Sequence, residues 1–255
     1  MIFSTPSDAI LTGNLPPSFI FFALLGGFGP SVSGIIVSLL SDGRDGLKET
    51  LGGLKKTGFS FWWYAVSMLA VPLMVAVQTG IHAAAGRSIS FEVSGLMFVM
   101  GFVWPLFSSF GEEIGWRGFA LPKMQKRYGV LSASLILGLV WGLWHLPSDY
   151  IAYSSYGWRF IPMFILVGPV TLTAHSAIMS FIYNKTNGSL LAMIIYHFTI
   201  TAMAILSPSF SFSGPADDIA KTAVNVSVLV AAALLVLLFS KTMRNKSEKI
   251  NETEA

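Results

Sequence analysis

Cysteine is absent from the 255 residues. That absence removes disulfides, thiolate zinc sites and a cysteine nucleophile together. Charge is scarce as well. Asp, Glu, Lys and Arg make up only 11% of the chain against 53% hydrophobic residues, and mean hydropathy is +0.66, a balance too apolar for a soluble domain. The sequence reads as a polytopic membrane protein whose surroundings are the lipid bilayer. A net charge of +3 would suggest an acidic partner in a soluble protein, but in a membrane protein Lys and Arg mark the cytoplasmic loops. No nucleic-acid partner follows. The opening MIFSTPSDAILTGNLPP lacks the basic region followed by an apolar run that a signal peptide needs, so the N-terminus is expected to be mature. The remaining chemistry must use Glu, His, Arg, Ser, Thr or a metal.

A window of roughly 20 residues, the length that crosses about 30 Å of hydrocarbon, finds apolar spans at 18–40, 59–81, 91–110, 131–147, 160–183, 189–206 and 223–240. The expected fold is all-α, a polytopic transmembrane helical bundle of about seven spans in one domain over 1–240. Residues 241–255, KTMRNKSEKINETEA, are polar without apolar periodicity and are expected to be a disordered cytoplasmic tail. Between the third and fourth spans, EEIGWRGFALPKMQKRYG mixes charge with Trp116, Phe119 and Leu121, the pattern of an interfacial, partly re-entrant helix. Seven spans put the termini on opposite sides. Of the 16 Lys and Arg, all but Arg87, Arg159 and Lys221 then fall on the side of the first loop. The positive-inside rule makes that side cytoplasmic, with the C-terminus inside and the N-terminus outside.

The stretch GEEIGWRG, residues 111–118, sets two carboxylates against the end of an apolar run. An ionised carboxylate at bilayer depth costs a few kcal/mol on insertion scales, so it needs a partner or a task. Glu113 and Arg117 stand at i and i+4 with the acid first, the favourable order for an ion pair on one helix face. Glu112 points about 100° away and lacks that partner. Taken alone, the three could be an interfacial cluster anchoring a helix end. Two histidines in spans weigh against this: His145 in WGLWHLP and His197 in MIIYHFTIT. Acids and imidazoles on separate helices suggest a site. His82, at a span end, is expected to be solvated, and His175, beside Thr171, Thr173 and Ser176, to be a polar contact between helices. Trp116, Trp141 and Trp144 read as packing and interface anchors.

Glu112-Glu113-x-x-x-Arg117, then Trp141-x-x-x-His145, then His197 in a late span approached by NKTNGSLLAMIIYHFTIT, resembles the CAAX-protease and bacteriocin-processing family of intramembrane endopeptidases. The resemblance covers roughly residues 107–201. It implies proteolysis of a peptide or membrane-anchored protein that enters from the cytoplasmic leaflet. By the same resemblance, Glu112 and His145 hold and deprotonate a water, His197 and residue 201 donate to the developing oxyanion, and Glu113 with Arg117 orients the motif helix. Three features depart from the family. Trp141 stands where Phe is usual, Thr201 stands where Asn or Asp is favoured, and the chain has few residues ahead of its first span, where members often carry a further helix.

Cofactor use stays open at this level. Glu112, His145 and His197 could form a zinc site with one position left for water, but no HExxH is present and the three lie on separated helices. The expectation is a metal-free enzyme. From another class comes a non-catalytic self-immunity or scaffold protein, or a small transporter, for which Gly26-Gly27, Pro30 and Gly168-Pro169 could interrupt spans one and five.

Overall fold

The computed structural model describes residues 17–91, 93–210 and 214–240, with side chains placed from residue 26 and not at 209–210. The expected tail, 241–255, lies outside the described residues. The chain is almost wholly helical. Helices α1 (Pro17–Gly52) and α2 (Phe61–Ala84) are followed by the short strand β1 (Ile89–Ser90) and by α3 (Gly95–Glu113). A π-helical segment, Ile114–Ala120, runs from α3 into α4 (Leu121–Trp144). After α5 (Leu146–Tyr153), α6 (Phe160–Ile165) and a second π-helical segment (Leu166–Val170) come α7 (Thr171–Lys185) and α8 (Leu190–Leu206). Strand β2 (Ser209–Phe210) pairs antiparallel with β1, Ile89 opposite Phe210, and α9 (Pro215–Phe239) closes the described chain.

The all-α bundle matches the expectation, and each expected span falls on helix. Among the described residues four helical stretches are long and apolar enough to cross a membrane: Phe61–Ala84, Gly95–Trp144, Leu146–Lys185 and Pro215–Phe239. Leu190–Leu206 is a shorter apolar helix. The stretch Gly95–Trp144 holds both the third and the fourth expected spans, separated where Gly129 takes φ 77°, ψ 169° and turns the chain. A positive φ of this kind suits glycine because it has no Cβ to clash. The second π-helical segment contains Gly168-Pro169, and the helix runs on through it within Leu146–Lys185, so span five is not broken there; Pro30 likewise sits inside α1, whose kink falls at Gly43.

Large apolar side chains are turned outward, among them Phe61 (77% exposed), Trp62 (74%) and Leu73 (63%) on α2 and Leu238 (61%) on α9. In water that distribution would expose a continuous apolar belt; in lipid it is the solvated face. The chain is an integral multi-pass membrane protein. The core lies around α7, whose Ala177, Ile178, Met179 and Ile182 pack with Met193 and Tyr196 of α8 and with Trp141 of α4.

Small residues set how closely the helices approach. Gly111, Gly115 and Gly118 face α1, where an added Cβ would lie 2.3 Å from the Gly27 carbonyl oxygen, 2.0 Å from that of Pro30 and 2.7 Å from that of Thr50 respectively. On α4, a Cβ at Gly138 would lie 2.4 Å from Thr173 Cα and one at Gly142 2.5 Å from Pro169 Cα. Helices in lipid gain little from hydrophobic exclusion and rely on this kind of close backbone packing. The glycines of GEEIGWRG thus occupy the α1 face and leave the motif's acids, Trp116 and Arg117 for the opposite side.

Candidate active site

The carboxyl end of α3 and the π-helical turn after it carry Glu112, Glu113, Trp116 and Arg117. Single π-helical turns occur often at functional positions. Glu113 and Arg117 form the expected pair: Arg117 Nη1 donates to Glu113 Oε1 at 2.7 Å, with both side chains fully buried. Burial excludes an interfacial anchor. His197 of α8 joins the same oxygen, its Nδ1 lying 2.7 Å from Glu113 Oε1. A carboxylate oxygen can only accept, so the imidazole donates from Nδ1 and its Nε2 is the nitrogen left for other chemistry.

Glu112 does have partners, and they were not legible as such in the sequence. Trp141 Nε1 donates to Glu112 Oε2 at 2.7 Å, and Trp116 Nε1 reaches the same oxygen at 3.3 Å. Both tryptophans pack as expected, Trp141 within the core and Trp116 against it, and their N–H groups are in addition polar contacts of the site. The spacing Trp141-x-x-x-His145 was the available signal, since it puts the two rings one turn apart on one face. Trp144 is 44% exposed and packs edge-on against Trp116.

His145 caps the carboxyl end of α4 and is half-buried. The last carbonyls of a helix lack onward helical donors; that of Trp141 instead accepts from His145 Nδ1 at 2.9 Å. The ring nitrogen facing away is Nε2, as in His197. Trp141 touches the other site residues too, with the Arg117 guanidinium 4.3 Å from its ring centroid and the His197 ring edge-on at 5.2 Å. Glu112, Glu113, Arg117, His145 and His197 therefore meet around one buried indole. Thr201 lies one turn after His197 on α8, half-buried and without a hydrogen bond to the cluster. Glu113 Oε2 and Arg117 Nε and Nη2 are buried without a protein partner, a shortfall that native interiors keep to a few atoms.

The other two histidines separate from this cluster. His175 makes the inter-helix contact expected of it, to Tyr196 Oη at 3.1 Å. His82 corrects the expectation of a solvated residue: it is 2% exposed and bonds Asn225 Oδ1 on α9 at 2.9 Å.

The residues do not fit a zinc site as they stand. Among the described residues no three His, Asp or Glu side chains are grouped to hold a metal ion.

Fold and site together define a multi-pass helical membrane protein with a buried acid–imidazole cluster. The family model for type II CAAX prenyl endopeptidases, Rce1-like, matches residues 93–203, which include every residue of the cluster. The chain is also 30% identical over 148 residues to CAAX prenyl protease 2 of Methanococcus maripaludis, a match that spans 53% of this chain and about half, 53%, of the relative. Through this region the chain is similar to the Rce1-like CAAX protease family.

Proposed function

We propose that the protein is an intramembrane endopeptidase of the glutamate type, in which Glu112 is the general base. One observation carries the reading: the Glu112 carboxylate is buried, and two indole N–H groups hold its Oε2. A fixed carboxylate, joined to two imidazoles through the Trp141 ring, is the equipment for drawing a proton from water. His145 Nε2, free of the Trp141 carbonyl, orients that water.

The reaction runs as follows. Glu112 takes one proton as the water oxygen adds to the scissile carbonyl carbon, and the C=O electron pair moves onto oxygen. His197 donates to this oxyanion from Nε2 in its doubly protonated form, whose charge Glu113 offsets, and the Thr201 hydroxyl adds a second donor. Collapse restores the carbonyl and breaks the C–N bond, and the proton held by Glu112 passes to the leaving amine.

The substrate is a peptide or membrane-anchored protein that enters from the cytoplasmic leaflet, and the C-terminus is cytoplasmic with the N-terminus outside. The distribution of Lys and Arg supports this orientation. A prenylated C-terminal tail is among the substrates to be tried, since the M. maripaludis relative is named a CAAX prenyl protease. The mechanism uses no metal, a reading supported by the lack of a three-ligand group among the described residues.

The deciding experiment is cleavage of a prenylated C-terminal peptide, and of unprenylated and membrane-anchored peptides, by full-length protein in detergent. Wild type should cleave at least one, and Glu112→Gln should fold and fail on all. Full cleavage by Glu112→Gln would leave a non-catalytic or differently catalytic family member standing.

A further inference from the structure

We propose that Trp141 is the positioning residue of the site, fixing at once the orientation of the Glu112 carboxylate and the tautomer of His145; the proposal rests on the reading of Glu112 as base. The geometry puts both tasks on one residue. Its indole Nε1–H donates to Glu112 Oε2 at 2.7 Å, and its backbone carbonyl accepts from His145 Nδ1 at 2.9 Å. The first contact pins one carboxylate oxygen and leaves Oε1 outside the clasp. The second fixes the Nδ1–H tautomer, so that Nε2 accepts.

The ring itself is held from both sides. Arg117 stacks on it at 4.3 Å and His197 meets it edge-on at 5.2 Å, while Trp141 is 1% exposed at the centre of the core. An indole locked in this way cannot swing to follow a wandering carboxylate, so it dictates the carboxylate's position. Trp116, bonding the same oxygen at the longer distance of 3.3 Å and only half-buried, is the secondary clamp.

Trp141→Phe separates the two tasks, because it keeps an aromatic ring and the backbone carbonyl while removing the N–H donor along with part of the ring volume. Loss of one hydrogen bond to an ionised group should lower kcat about 10- to 100-fold. KM should stay within about twofold, since Trp141 touches no substrate. Trp116→Phe should lose less than Trp141→Phe. A wild-type kcat in Trp141→Phe, or a larger loss in Trp116→Phe, would overturn the assignment.

A measurement independent of turnover guards against a variant that merely misfolds. In full-length ¹⁵N-labelled protein in micelles, the Trp141 indole resonance is identified by its absence in Trp141→Phe or, if that variant does not fold, as the indole peak perturbed in His145→Ala. On Glu112→Ala it should move upfield as its acceptor disappears, while the resonances of Trp62 and Trp158 stay in place. An unmoved Trp141 resonance would overturn the clasp. Should Glu112→Gln cleave at the wild-type rate while that resonance still responds to Glu112→Ala, the reading of Glu112 as base fails and the indole contact stands.

Discussion

His197 Nδ1 donates to Glu113 Oε1 at 2.7 Å and so ties the middle of α8 to the end of α3 across a fully buried carboxylate. Because Arg117 donates to the same oxygen, the contact makes Glu113 the hinge of two elements, the motif turn and the late helix. The first and last motif residues, 84 positions apart at this contact, are joined by an ion-pair cluster and not only by shared packing.

Arg117 is the cation that balances Glu113. Arg117→Ala leaves a buried carboxylate with only His197 to compensate it, and breaking a buried pair in this way costs about 3–5 kcal/mol. The variant should melt earlier in detergent and accumulate less. Glu113→Gln in the same chain should recover part of the loss by removing the charge. An Arg117→Ala protein that melts like wild type would mean that the pair contributes no stability.

Gly115 is where α1 approaches the motif most closely. A Cβ there would lie 2.0 Å from the Pro30 carbonyl oxygen, and backbone on both sides cannot give way as a side chain could. Gly115→Ala should therefore abolish accumulation of folded protein. Gly26→Ala is the control, since nothing lies within 4 Å of its added Cβ, and it should fold normally. Size-exclusion profiles of the two variants decide the matter; equal monodisperse yields would contradict the close approach.

The proposed cytoplasmic placement of the C-terminus is tested directly with reporter fusions. A reporter active only in the cytoplasm should be active when fused after residue 240, and one active only outside should be silent there. The reverse pattern would invert the bundle and move the site toward the opposite leaflet.

What could be read in the sequence followed physical period and composition. The apolar spans, the i,i+4 pair of Glu113 and Arg117 and the polar role of His175 all depend on residues near one another along a helix. What could not be read came from contacts between helices. His82 is buried because Asn225, 143 residues on, supplies its partner, and no local pattern announces that. Trp141 and Trp116 looked apolar because large rings in a span usually are; only the approach of α4 to the motif turn turns their N–H groups onto Glu112. The glycine spacing 111, 115, 118 was visible, and its meaning required knowing that α1 lies against it.

Metal dependence is checked by chelation. On the proposed metal-free mechanism, in which indole and carboxylate partners hold Glu112 Oε2 and His197 Nδ1, a strong zinc chelator should leave cleavage unchanged after prolonged incubation. Inhibition reversed only by added zinc would assign Glu112, His145 and His197 to ligand roles.

Glu112 and His145 should behave as one unit. If Glu112 removes the proton and His145 holds the water for it, either residue is useless without the other. Glu112→Gln and His145→Ala should each lower kcat by about two to four orders of magnitude, the usual contribution of a positioned general base. The double variant should be scarcely worse than either single one, because groups acting together in one step are not additive. Thr201→Ala should lose less, since it removes a single donor that is already half-buried and outside the hydrogen-bonded cluster, and Thr201→Asn should retain activity by offering an amide N–H in its place. Circular dichroism and melting of every variant must match wild type for the comparison to count, and Glu112→Gln, which replaces one carboxylate oxygen by an NH2 group, is chosen to keep the volume. Losses that multiply in the double variant would mean that the two residues serve separate steps, and His145 would then belong to the leaving group and not to the water.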